Sequence, residues 1–120
     1  MTDTTPIAYA TKLGRLIRSR AEEAFNSGVL EHYRGKIDLV FTSPPFPLNR
    51  KKKYGNLQGQ AYIDWLSDFA WKLRSLLKPC GSIVMEVGNA WEPGHPVMST
   101  LPLRALLAFL DKGGLFLCQD

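Results

Sequence analysis

The chain has 120 residues, 45% of them hydrophobic and 22% charged, with 15 lysines and arginines against 11 carboxylates for a net charge of +4. That length allows at most one domain, and the composition excludes an intrinsically disordered chain. No apolar run reaches the ~20 residues of a membrane span, while the basic balance suits an acidic partner such as nucleic acid.

Residues 1–12 are polar and read as frayed, so residues 1–13 are expected to be disordered or extended and 14–120 to form the folded portion. Gly14–Arg18 is a short candidate strand. Ser19-Arg20-Ala21-Glu22 has the form of a capping box, and Ala21, Ala24 and Phe25 form an apolar face behind it. Ile37–Phe41 is short, β-branched and nearly all apolar, which predicts a strand buried on both faces of a parallel sheet. Thr42-Ser43-Pro44-Pro45-Phe46-Pro47 must end it, because proline fixes φ and donates nothing to a ladder. Residues 48–60 are polar, basic and glycine-containing, and read as a loop.

Tyr62, Trp65, Leu66, Phe69, Ala70, Leu73, Leu76 and Leu77 recur at steps of three and four, predicting a helix over 61–77 with Asp68 and Lys72 spaced for an ion pair. Lys78-Pro79-Cys80-Gly81 should stop it. Ser82–Val87 reads as a second buried strand, and Gly88-Asn89 opens a loop running to Met98. A helix from about Thr100 carries the stripe Leu103, Leu106, Leu107 and Leu110 and ends at Gly113-Gly114, and Leu115–Cys118 reads as a third strand. Alternating strands and helices predict an α/β fold with a mostly parallel sheet and crossover helices. Cys80 and Cys118 lack ligand spacing and are expected to be small buried residues in a reducing compartment. His95 has no partner at metal-ligand spacing, so no metal is expected. Met1–Ala10 lacks the order of a signal peptide, and a soluble, cytoplasmic protein is expected.

Open parallel sheets bind ligands beyond the carboxyl ends of their strands. One crossover helix makes the 37–41 and 82–87 strands neighbours, which brings Ser43–Phe46 and Glu86 to one edge. Pro44 and Pro45 carry no N–H, so nearby carbonyls face outward as unspent acceptors. Ser43 adds a hydroxyl acceptor and Phe46 a flat apolar face. An exocyclic base amine offers two N–H donors but is a poor nucleophile, its lone pair being delocalised into the ring. Acceptors on both hydrogens, from Ser43 and the Pro44 carbonyl, would draw the nitrogen towards tetrahedral geometry and free the lone pair for a methyl group. The base must first leave the duplex stack, and Phe46 could stack on it. Glu86 could accept a hydrogen bond from Ser43 or the amine and help remove the released proton. Arg50, Lys51, Lys52 and Lys53, with Tyr54, are candidates for DNA-backbone contact.

The segment Ile37–Phe46, together with Tyr62-Ile63-Asp64-Trp65, Leu77-Lys78-Pro79 and Gly81–Gly88, resembles the permuted DNA amino methyltransferases of restriction–modification systems. Its Thr-Ser-Pro-Pro-Phe run resembles the cytosine-N4-specific type. The resemblance implies a partial Rossmann-like methyltransferase fold, S-adenosylmethionine as cofactor, duplex DNA as substrate and Ser43, Pro44, Pro45 and Phe46 as the base-binding loop. Thr42 and Gly88, at the strand ends, are candidate cofactor contacts, and Glu86 stands where the family often has Asp. Adenine N6 is the alternative target. The family's glycine-rich cofactor loop and target-recognition region are absent, since no Gly-x-Gly occurs in the chain. The chain is therefore expected to be a fragment, a truncated gene product or one half of a split enzyme, inactive alone; a non-catalytic remnant, or a half that only binds DNA or a partner, is the reading from another class. In the family's strand order the 37–41 strand would lack a neighbour, so self-association through that edge is expected.

Overall fold

A computed structural model describes residues 6–45 and 59–120, in two compact units divided between Tyr33 and Arg34. In the first unit, strands β1 (Ile7–Ala10) and β2 (Arg15–Ile17) form an antiparallel ribbon, so the reading of residues 1–12 as frayed is corrected over β1. Helix α1 (Ala21–Asn26) follows without the expected capping box. Arg20 takes the N-cap position in extended geometry, and the Ser19 hydroxyl donates to the Arg20 carbonyl instead.

The second unit contains strand β3 (Ile37–Thr42), helix α2 (Gly59–Leu76), strand β4 (Leu77–Met85) and helix α3 (Leu101–Gly113). β3 and β4 pair in parallel, as a strand–helix–strand crossover requires. The residues expected to stop α2 lie within β4. They form a bulge in which Lys78, Pro79, Cys80 and Gly81 stand against Asp38, between the pairs Ile37↔Leu77 and Leu39↔Ser82. A bulge tolerates proline because local pairing is already broken. It also needs glycine at 81, where a Cβ would sit 3.0 Å from the Ile37 carbonyl oxygen. The bulge leaves Cys80 exposed, and Cys118 is exposed as well, against the expectation of burial.

The core lies between α2 and α3, which pack on each other. Tyr62, Ile63, Leu66, Phe69, Ala70 and Leu76 are buried from α2, and Ala105, Phe109 and Gly113 from α3. Trp65 is only half-buried, its ring edge-on to Phe69 at 5.4 Å. The stripe expected on α3 is rotated: Leu103 and Leu107 are exposed, because the small surfaces of Ala105 and Gly113 are what let the helices approach. A Cβ at Gly113 would lie 3.0 Å from the Ala70 Cβ. Asp68 pairs across the helices with Lys112 at 3.1 Å rather than along α2 with Lys72, whose ammonium lies 5.6 Å from the Phe69 ring centre. Gly114 closes α3 in left-handed geometry, φ 60°, and the Arg74 guanidinium donates to the Gly113 carbonyl at 2.8 Å.

β3 and β4 are not buried on both faces. Val40, Thr42, Ile83 and Met85 are half-buried on one face, while Leu39, Phe41 and Val84 on the other are 53%, 72% and 46% exposed. Residues 115–120 form no strand, so the third strand expected there is also corrected. No helix of the described residues is long and apolar enough to cross a membrane.

Tyr62 is fully buried, and its hydroxyl has no hydrogen-bond partner among the described residues. Burial disfavours the phenolate and pushes its pKa up to about 12 from 10.0. The folded state therefore holds this proton more tightly than the unfolded one. Ionisation of Tyr62 thus costs the folded state stability: nothing is lost below pH 10, and stability declines as pH rises towards 12. In urea titrations, Tyr62→Phe should flatten the decline in stability between those pH values. At neutral pH it should cost nothing, since no hydrogen bond is broken.

Candidate active site

The parallel register carries the site. Phe41 stands opposite Val84 and Thr42 opposite Met85, and the ladder continues with the Glu86 amide donating to the Thr42 carbonyl at 3.0 Å. One further step sets Ser43 opposite Glu86. Their side chains therefore share the exposed face at the carboxyl ends of both strands, where the Ser43 hydroxyl donates to Glu86 Oε2 at 3.0 Å. Glutamate, the longer carboxylate, thus reaches the serine from the strand end.

That hydrogen bond sets the chemistry the pair can perform. A serine hydroxyl has one donor and two acceptor sites. With the hydrogen committed to Glu86, the Ser43 oxygen meets any further partner as an acceptor, which is what an N–H group requires. Ser43 and Glu86 are both exposed, so a ligand can reach them, and Pro44 and Pro45 behind them are half-buried. Ser43, Pro44, Pro45 and Glu86 are thus brought to one edge of the sheet. Phe46 and the basic cluster Arg50, Lys51, Lys52, Lys53 and Tyr54 lie outside the described residues.

Thr42 and Gly88, the candidate cofactor contacts, are half-buried at the same edge. They do not by themselves form a cradle for S-adenosylmethionine. The Thr42 carbonyl is spent on the Glu86 amide, and no helix N-terminus follows Gly88 until Leu101. A nucleotide-like cofactor is ordinarily held by free backbone N–H groups at a helix start.

The segment after β4 is more ordered than its glycine and proline content implies. Trp91 and Met98 bridge in antiparallel fashion, the Glu92 amide donates to the Val97 carbonyl at 2.8 Å, and the Ser99 amide to Ala90 at 2.7 Å. This miniature hairpin stands four residues beyond Glu86 and presents Trp91, Val97 and Met98 to solvent. Its only cue in the sequence is the turn-forming Pro93-Gly94 between apolar residues.

Residues 37–119 match the model of a DNA methylase family. The Type II methyltransferase M.PvuII of Proteus hauseri is 41% identical over 113 residues, which cover 94% of this chain and 32% of the relative. The solved structure of PvuII DNA methyltransferase, described as cytosine-N4-specific, aligns with a TM-score of 0.58 and 45% identity over 70% of this chain and 30% of that one. The chain spans about a third of the length of these relatives.

Proposed function

The chain belongs to the DNA methylase family, through residues 37–119, and on that premise we propose that residues 14–120 are the catalytic-loop portion of an enzyme that methylates cytosine N4 in duplex DNA. Its β3–α2–β4 unit is part of the Rossmann-like methyltransferase fold. The observation carrying the proposal is the Ser43–Glu86 hydrogen bond at the shared strand edge.

In this reading a cytosine flipped from the stack presents its amino group to Ser43 and to the Pro44 carbonyl. Ser43 Oγ, its own hydrogen held by Glu86, accepts one N–H, and the Pro44 carbonyl accepts the other. The amine is thereby pulled out of conjugation, and its lone pair becomes available. These bonds strengthen as the nitrogen becomes tetrahedral and positively charged, so they act chiefly on the transition state. Glu86 then takes up the proton released, directly or through Ser43. Phe46 supplies a stacking face, and Arg50, Lys51, Lys52, Lys53 and Tyr54 hold the DNA backbone. S-adenosylmethionine supplies the electrophilic methyl group when bound; its main cradle belongs to the length of the relatives that this chain does not span, with Thr42 and Gly88 at its margin. The chain alone is accordingly inactive. A cytoplasmic restriction–modification setting follows from the same reading.

The test joins this chain to the portion of a relative that it does not span, incubates the product with DNA and resolves the methylated nucleosides by mass spectrometry. N4-methylcytosine is expected. N6-methyladenine as the only product would reassign the target base, and no methylation at all would reduce the chain to a non-catalytic binding portion.

Parallel sheets are stable when both faces are covered, whereas here Leu39, Phe41 and Val84 are open and, among the described residues, β3 and β4 pair only with each other. The chain alone should self-associate, and Phe41→Lys with Val84→Thr should shift light scattering towards monomer. A wild-type chain that is monomeric at tens of micromolar would contradict this.

A further inference from the structure

We propose that the β1–β2 ribbon is a second DNA-backbone contact, separate from the basic loop at 50–53 and taking the phosphates of duplex DNA as its ligand. The inference rests on the duplex substrate proposed above, but its observations come from the other compact unit, outside the residues that match the family model.

From Thr11 to Arg20 the chain carries Lys12, Arg15, Arg18 and Arg20 and no carboxylate. All four side chains are exposed, and none makes an ion pair or side-chain hydrogen bond among the described residues. Lys78, Lys112 and Arg74 in the other unit, by contrast, are held by Asp38, Asp68 and the Gly113 carbonyl. The described acids of the first unit all follow the ribbon in the chain: Glu22 and Glu23 sit in the first turn of α1, where the helix dipole favours them, and Glu31 opens the next turn. Positive charge is thus concentrated rather than balanced along the ribbon.

The ribbon is also rigid. The Thr11 amide donates to the Gly14 carbonyl at 2.7 Å, and Thr11 Oγ1 accepts from the amides of Leu13 and Gly14 at 3.2 and 3.0 Å. Beyond the last ladder pair, the Arg18 amide donates to the Pro6 carbonyl at 2.7 Å. Lys12, Arg15 and Arg18 on this hydrogen-bonded frame, with Arg20 following at the N-cap of α1, lose less freedom on binding than the same charges on a loop. A two-stranded ribbon is also of a width that the major groove admits. Arg15 opens β2 and Arg18 follows one residue beyond its end. Tyr9 and Leu16, paired across the ribbon, and Leu13 in its turn are exposed, and their apolar surfaces suit sugar contacts rather than an aqueous face. Phosphate contacts position a protein on a duplex without reading its sequence.

The experiment measures binding of a fluorescent duplex oligonucleotide to the 120-residue chain by anisotropy, across salt concentrations. Replacing Lys12, Arg15, Arg18 and Arg20 with glutamine should weaken binding at least about tenfold at low salt and flatten the log–log salt slope by about 3. A second variant with Arg15→Lys, Arg18→Lys and Arg20→Lys keeps the charge and should bind within a few-fold of the wild type, which separates phosphate contact from damage to the fold. A third, with Arg50, Lys51, Lys52 and Lys53 changed to glutamine, should lose only its own share of the slope. An unchanged slope in the first variant, complete loss in the third, or a wild-type chain that binds no duplex at low salt would each overturn the inference. Methylation in the joined enzyme that survives loss of the ribbon cations unaltered at raised salt would do so too. Duplex binding through the ribbon without methylation would instead sink the enzymatic reading alone.

Discussion

Ser43→Ala should lower kcat of the joined methyltransferase by about 100- to 1,000-fold, the cost of removing one hydrogen-bonding group that acts on developing charge. The serine is exposed and its side-chain bond is to an equally exposed carboxylate, so folding stability should change by less than about 0.5 kcal/mol. KM for DNA should move little, because an interaction made chiefly in the transition state leaves ground-state binding alone. Glu86→Gln keeps a carbonyl oxygen to accept the Ser43 hydrogen but cannot take up a proton. It should reduce kcat by about 100-fold or more. Glu86→Asp separates reach from charge. The glutamate spans the 3.0 Å contact from the strand end, and the shorter side chain should lose the Ser43 bond while keeping the carboxylate. Methylation rates that survive Ser43→Ala would remove the serine from the mechanism.

Phe109→Ala should unfold the chain or abolish its cooperative transition in urea, followed by circular dichroism. The ring is buried where α3 meets α2, and truncating a core aromatic costs about 3–5 kcal/mol. Total stabilities of small domains are about 5–15 kcal/mol, and a chain with an open sheet face stands at the low end. Leu103→Ala and Leu107→Ala on the same helix should cost under about 1 kcal/mol, because both side chains are more than half exposed. Equal losses at 103 and 109 would mean that α3 is rotated from the packing described.

The contrast between Leu103 and Phe109 shows where local pattern stops being informative. Hydrophobic spacing marks α3 as amphipathic, but its leucines surround much of the helix, and the contact stripe is chosen by whichever residues permit closest approach. Ala105 and Gly113 do that against Ala70, a steric fact between elements that no window of sequence contains. The partner of Asp68 is a similar case. Lys72 has the correct helical spacing, yet Lys112 on the facing helix takes the carboxylate and Lys72 lies over aromatic rings. The Lys78–Gly81 run misleads for a related reason. Proline and glycine ordinarily mark a break, and here they make a bulge that lets the strand begin as soon as α2 ends.

The existence of β3, α2, β4 and α3 and the meeting of Ser43 with Glu86 were legible in the residues alone. A short apolar strand ending in Ser-Pro-Pro, one crossover helix and a strand ending in Glu leave two parallel neighbours almost no other way to lie, since connectivity and the period of two are local properties. Which face of each helix is buried, which strand faces stay open and which cation each carboxylate finds were decided only by the assembled structure. Those outcomes depend on contacts between distant segments, and close packing chooses among locally equivalent options by fractions of an ångström.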